Sequence, residues 1–498
     1  MKKNIKFIIG VVLIVLCFYF NLGFDINFDF KTNTIHQKVQ LILILISSVV
    51  ISGLGIFLLN DKNKLDVHKK YLIISVFLGI FYILLTPILH GSDEGAHFFK
   101  VYSIVTGFED KTLTETSLEL VPSTIVKCDL PNTLISGMKA IGQKIDSSDL
   151  IKTDKFLGAN LYTFFSYLPY LIPMFICQII LKMDLFFTVI FGRIFAFICG
   201  IMIMTYAIKI MPKRKDFFAL LCLTPVMLAG MTIYTADLMT NATIILFIAI
   251  WYKAYEEKKK MTKKDILLIS LLGVFAAFAK IVYILIFLIL FLLPEECFEC
   301  KKEKNKSLIF IFLIILIAVL INIFVVGNNM LDAYPEINAQ KNFIFSNPLK
   351  YLKILFTTIL KDYSSLYIFT TNGGFTLIHN GITISEIVSF IYTLILIISL
   401  LIEGEEKKLT KKGKILISSI ITFVIVILYT SLYIQYTAKY YGIGNTRIYG
   451  VQPRYFIPIV AMLPIIPLKK KDIIEKKFLW LGVLLIDFIF ILNIIVYF

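Results

Sequence analysis

The sequence predicts an all-α polytopic membrane protein with about 13 transmembrane helices, a long first external loop and juxtamembrane helices. Three observations predict it. Hydrophobic residues fill 58% of 498 positions against 17% charged, and mean hydropathy is +0.84, which excludes a soluble globule or a disordered chain. Apolar runs of about 20 residues recur and match a hydrocarbon core of ~30 Å, whereas a closed barrel would show shorter alternating segments. Lysines raise the net charge to +16 but gather in short loops between those runs, the pattern of cytoplasmic retention rather than of nucleic-acid binding.

Taken in order, Met1-Lys-Lys followed by residues 5–22 reads as a retained first helix, because no small-residue cleavage site follows. Placing this end and the basic loops 61–70, 212–215, 256–264, 301–306, 403–414 and 469–477 inside predicts crossings at 39–59, 71–89, 185–210, 217–234, 238–252, 308–326, 384–402, 415–434, 455–468 and 478–497, with an external C-terminus. Two stretches break the alternation. Residues 161–182 cannot cross as well as 185–210, and the prolines of Tyr167-Leu-Pro169-Tyr-Leu-Ile-Pro173 mark them as a kinked juxtamembrane or re-entrant helix on the outer side. Residues 266–293 have basic loops at both ends and would finish on the wrong side as one helix, so they predict a hairpin of two short arms with its tip near Lys280. The resulting divisions are 1–89, 90–183, 184–326, 327–383 and 384–498, in which 90–160 and 327–381 are external regions too long to be mere connectors. Within the second, 348–369 reads as an amphipathic interfacial helix.

Seven cysteines, four of them in apolar runs, imply no disulfide framework. Cys297-Phe-Glu-Cys300 has zinc or redox spacing but lacks a second ligand pair. There is no Gly-rich phosphate loop, no His-Glu metal helix and no internal repeat, which argues against an ATP-driven pump or a metalloprotease of that type.

Ionisable groups are expensive beside lipid and useful beside a substrate. His90-Gly-Ser-Asp93-Glu94-Gly-Ala-His97 places two carboxylates and two imidazoles at the end of an apolar run. Arg193 falls near the outer end of its helix, Asp237 between two crossings, Lys280 at the hairpin tip and Arg454, flanked by Gln452 and Tyr455, at the start of another crossing. The topology puts all of them at the external face and predicts a polar cavity there. Each has a plainer reading. Ser92-Asp93-Glu94 is suited to capping a helix, with His97 one turn on to pair with Asp93; Asp237 suits a first helical turn, Lys280 can snorkel, and Arg454 can anchor at the interface.

Ser92-Asp93-Glu94-Gly-Ala-His97, Thr224-Pro225 with Thr235-Ala-Asp237, Ala279-Lys280-Ile-Val-Tyr283 and Tyr449-Gly450-Val-Gln452-Pro-Arg454-Tyr455-Phe456 together resemble the bacterial family catalogued as domain of unknown function 2142, whose members look like GT-C membrane glycosyltransferases. The resemblance implies a sugar donor on a polyprenyl phosphate, an extracytoplasmic acceptor glycan, polymer or protein, and a multi-pass location in the bacterial cytoplasmic membrane with the site facing outside. It implies no required cofactor, although a divalent cation fits beside Glu94. On this reading Asp93 is the base, Glu94 supports the acceptor or cation, Lys280 and Arg454 hold the donor phosphate, and His97, Arg193, Asp237, Gln452 and Tyr455 bind substrate or order the cavity. A lipid-linked sugar flippase and a polysaccharide polymerase are the competing readings.

Overall fold

The computed structural model describes residues 5, 7–12, 14–15, 35–60, 65–108, 112–113, 118–128, 138–153, 158–159, 162–333, 335–362, 386–404 and 410–497. Half of the first predicted helix, 5–22, and all of residues 363–381 therefore fall outside the described residues.

Helices α1 (Ile35–Leu59) and α2 (Val67–Leu85) are followed by α3 (Glu94–Thr106), then by a three-stranded antiparallel sheet of β1 (Thr112–Leu113), β2 (Leu118–Pro122) and β3 (Leu150–Thr153) in the order β1-β2-β3. The chain continues through α4 (Leu168–Phe175), α5 (Leu185–Ile210), α6 (Lys215–Cys222), α7 (Pro225–Met231), α8 (Asp237–Glu257) and α9 (Lys263–Ala279). After a 3₁₀ stretch, Ile281–Leu292, come α10 (Lys301–Ala333), α11 (Pro335–Ser346), α12 (Pro348–Lys361), α13 (Glu386–Ile402), α14 (Lys411–Leu432), α15 (Ala438–Tyr441) and α16 (Lys476–Tyr497). Among the described residues seven helical spans are long and apolar enough to cross a membrane, and four further apolar helices are shorter. The chain is a helical, multi-pass membrane protein; the small sheet between α3 and α4 is an addition to the all-helical expectation.

Burial sorts these spans. In α8 and α16, 78% and 72% of the most apolar window is buried against other protein, whereas α1 shows 22% and α10 and the α14–α15 span 28% each. The first two form the core, and the others present residues such as Val49 and Phe324 outward, as lipid contact requires. Tyr82 on α2 donates to Asp487 Oδ1 on α16 at 3.0 Å, and Gln40 of α1 donates to Ile495 O, fixing α16 between them.

Opposite ends of the molecule are chemically distinct. At the lysine-rich end, Lys476 bridges Asp216 and Glu403 at 2.6 Å each, and Arg214 donates to Ile466 O. The predicted hairpin forms: α9 rises to Lys280, the 3₁₀ arm returns, and Met261 N donates to Cys297 O at 2.8 Å where the two ends meet again. A 3₁₀ helix rises ~2.0 Å per residue against 1.5 Å for an α-helix, so the 12 returning residues reach about as far as the 17 residues of α9.

The predicted outer-side helix is a continuous stretch, Phe164–Ile180, with Pro169 near the start of α4, Pro173 inside it and a π turn at Ile176–Ile180. Thr163 donates to Phe278 O at one end, and Leu185 N donates to Gln143 O just beyond the other. The first end thus lies where α9 approaches Lys280, and the other meets the segment that follows the sheet's second strand. The segment predicted to cross at 217–234 forms two short helices, broken where Thr224 caps α7 and Pro225 begins it, and neither is long enough to cross by itself. Helix α12 matches the first part of the predicted interfacial helix, with Tyr351 and Ile354 buried and Leu349, Phe356 and Leu360 exposed; residues 363–369 lie outside the described residues.

Candidate functional site

Asp93, His97, Asp237, Gln452, Arg454 and Tyr455 line one cavity of 280 Å³ at the end opposite the Lys476 cluster. Each reaches it by a local feature of the chain. Asp93 precedes α3 in a left-handed conformation (φ 57°, ψ 16°), which non-glycine residues adopt at an energetic cost, Asp less than most. Its carboxylate makes no capping bond to the helix and instead meets Arg454 Nη2 at 2.8 Å. The capping reading of Asp93 does not hold. Asp237 opens α8, and Lys280 ends α9 in extended backbone (φ −146°, ψ 100°) that turns its side chain across to Asp237 Oδ1 at 2.5 Å.

The four charges form a chain. Lys280 binds Asp237, Asp237 Oδ2 lies 3.1 Å from Arg454 Nε, and Arg454 continues to Asp93. The Nε contact lacks aligned hydrogen-bond geometry and is Coulombic in character. Lys280, Asp237 and Arg454 side chains are each 14% exposed, but that of Asp93 is 49% exposed, so the chain ends on a carboxylate that reaches solvent. Lys280 stands behind Asp237, not on the cavity surface, with its ammonium 4.3 Å from the Tyr455 ring centroid. Tyr283 donates to Tyr455 O at 2.7 Å and ties that segment to the hairpin.

Glu94 and Arg193 are placed elsewhere. Both side chains are fully buried; Arg193 Nε and Nη2 meet the two Glu94 oxygens at 2.7 and 2.6 Å. The same guanidinium donates to Thr86 O and Pro87 O at the end of α2, and Glu94 also accepts from Gly91 N and Tyr234 N. With both oxygens so engaged and no face on the cavity, Glu94 is not positioned to meet an acceptor or a cation, and Arg193 is not positioned to meet substrate. This corrects the sequence expectation: the pair holds α2, α3 and α5 together behind Asp93. Among the described residues no cluster of three or more His, Cys, Asp or Glu side chains is arranged to hold a metal ion.

His97 does not pair with Asp93 through its side chain in the way its spacing suggests. Its Nδ1 shares a 2.7 Å hydrogen bond with the Tyr167 hydroxyl. Burial lowers its pKa to about 4, against the opposing pull of Asp93 and Asp237, so the imidazole is neutral at pH 7. Tyr162 lines the cavity as well, and burial raises its phenol to about 12, leaving a neutral hydroxyl.

A family model described as a predicted membrane protein (DUF2142) matches residues 76–463, more than three quarters of the chain. The chain belongs to this family. No curated protein and no solved structure matches it. The matched region of this DUF2142 protein contains every cavity residue named above.

Sequence reasoning missed one wall of the cavity. Gln435, Tyr436, Lys439 and Tyr440 line it from the π turn Tyr433–Thr437 and α15. The available signal was the polar and aromatic density of Tyr433-Ile-Gln-Tyr-Thr-Ala-Lys-Tyr-Tyr441 at the end of an apolar span. It also missed Asp487, buried in mid-helix and held by Tyr82, which lies apart from the cavity and joins α2 to α16.

Proposed function

We propose that this DUF2142 protein is an inverting membrane glycosyltransferase of GT-C type, which moves a sugar from a polyprenyl-phosphate donor to a hydroxyl of an extracytoplasmic acceptor such as a surface glycan. The observation that carries the reading is the Asp93–Arg454 contact: a half-exposed carboxylate and a nearly buried guanidinium meet on the wall of one cavity. The lysine-rich opposite end corresponds to the bacterial cytoplasm on this reading, so the cavity faces outward.

The reaction would run as a single displacement. Asp93 takes the proton of the acceptor hydroxyl, the acceptor oxygen bonds to the anomeric carbon, and the bond from that carbon to the phosphate oxygen breaks. Total charge in the cavity is unchanged, but one negative charge passes from Asp93 to the leaving phosphate. A cation shared between those two positions stabilises the charge throughout its transfer, and Arg454 has the planar fork for it. Lys280 reinforces Arg454 from behind Asp237. The polyprenyl chain would lie among the surrounding apolar helices.

Transfer of radiolabelled sugar from a panel of polyprenyl-phosphate donors, in membranes containing the wild type or Asp93→Asn, tests the reading. The expected result is transfer by the wild type only, with donor binding retained in the variant. Equal transfer by both would remove Asp93 as the base. The formed Lys280–Asp237 pair also suits a gated flippase of lipid-linked sugars, and movement of such lipids between leaflets without transfer would select that function instead.

A further inference from the structure

The cavity has a second wall, formed by Gln435, Tyr436, Lys439 and Tyr440. At the end of a span of 31 residues that is otherwise lipid-compatible, the helix changes to π winding at Tyr433–Thr437, and four polar or aromatic side chains turn into the cavity together. The Tyr436 and Tyr440 rings lie 4.8 Å apart at 48° and are 40% and 52% exposed. Interfacial belt tyrosines face lipid headgroups, whereas these two line the same cavity as Asp93. The position of Tyr436 is built in: Gly450 sits at φ +84°, and a Cβ there would come within 2.5 Å of a Tyr436 ring carbon. Also lining the cavity, Gln452 has its Oε1 buried without a hydrogen-bond partner among the described residues, an acceptor that a ligand hydroxyl would satisfy.

Partly exposed aromatic rings beside planar amides match the two sides of a pyranose, whose C–H face is apolar and whose edge carries hydroxyls, and Lys439 Nζ lies 4.9 Å from the Tyr440 ring centroid. A cavity of 280 Å³ lies near the lower limit of about 300 Å³ for small-ligand sites, enough for the end of a glycan but not for its length. We infer that this wall is a carbohydrate-binding subsite, in which the terminal sugar of a glycan stacks on Tyr436 and Tyr440 and hydrogen-bonds Gln435 and Gln452. Calling that glycan the acceptor rests on the glycosyltransferase reading; the subsite itself does not.

Binding of fluorescein-labelled tri- to pentasaccharides of glucose, galactose, N-acetylglucosamine and N-acetylgalactosamine to the full-length protein in nanodiscs, followed by fluorescence polarisation, tests the inference. At least one should bind the wild type, Tyr440→Ala and Gln452→Ala should each weaken it about tenfold, and Tyr440→Phe should retain it. Tyr440 is exposed enough for its truncation to leave folding intact, which unchanged melting of the variant would verify. Failure of every oligosaccharide to bind, or equal binding by the alanine variants, overturns the subsite. Glycan binding without sugar transfer from any donor would leave the subsite and remove the transferase reading. Transfer with an unchanged acceptor KM in Tyr440→Ala would do the reverse.

Discussion

Asp93 is held at the N-terminus of α3 in a conformation that favours glycine, and its carboxylate contributes no cap. A residue kept in that state without a local structural return is a mark of function. Left-handed backbone costs ~1–2 kcal/mol for an ordinary side chain, so Asp93→Gly should melt no lower than the wild type in detergent while losing transfer, and Asp93→Ala should melt lower than Asp93→Gly. A large loss of stability in Asp93→Gly would show that the Arg454 contact holds the fold. His97 gives a pH signature at the same scale. Its folded pKa of about 4 lies below the ordinary 6.5, so the unfolded chain binds the extra proton and stability falls as pH drops through that window. From pH 6.5 to pH 5 the loss is about 1.5 kcal/mol. His97→Gln should flatten that part of the melting-temperature profile, and an unaltered profile would assign the pH dependence to other groups.

Elements are joined behind the cavity by buried charge. Arg193 on α5 takes the Glu94 carboxylate at the start of α3 and two carbonyls at the end of α2, and Gly192 beside it leaves room for Tyr234, whose hydroxyl would otherwise lie 1.7 Å from a Cβ. Removing one partner of a buried ion pair strands the other charge, at a cost of about 3–5 kcal/mol. Arg193→Met should therefore sharply reduce the yield of folded protein, and the added change Glu94→Gln should recover part of it. If Arg193→Met folded normally and lost only activity, Arg193 would have to be returned to the substrate-binding set. Both residues stood out in the sequence as charges at the outer ends of apolar runs, but their spacing along the chain could not separate a mutual structural pair from a pair facing substrate. The hairpin was more legible. Two basic loops flanking one apolar stretch forced a reversal near Lys280, yet the 3₁₀ winding of its second arm was invisible, because an unbroken apolar run carries no period by which to tell helix types apart.

For the whole molecule, cavity and Lys476 cluster occupy opposite ends, and the proposed orientation puts the cavity outside. Single cysteines at Ser147, in the loop that meets the start of α5, and at Lys259, in the turn before α9, should react with a membrane-impermeant maleimide from outside and from inside respectively, in a Cys300→Ser background. The reverse pattern would invert the topology and withdraw an outward site. The sequence by itself determined the membrane class, the lysine-marked end, the two anomalous segments and the gathering of Asp93, Glu94, His97, Arg193, Asp237, Lys280 and Arg454 toward the opposite end, because insertion is governed by local hydropathy and charge. Only the tertiary structure decided which charges face the cavity and which face one another, and it added the Tyr436 wall. Those choices depend on how α2, α5 and α8 pack side by side and how the segment after Arg454 meets α8, and residues as far apart as Asp93 and Arg454 become neighbours only through that packing.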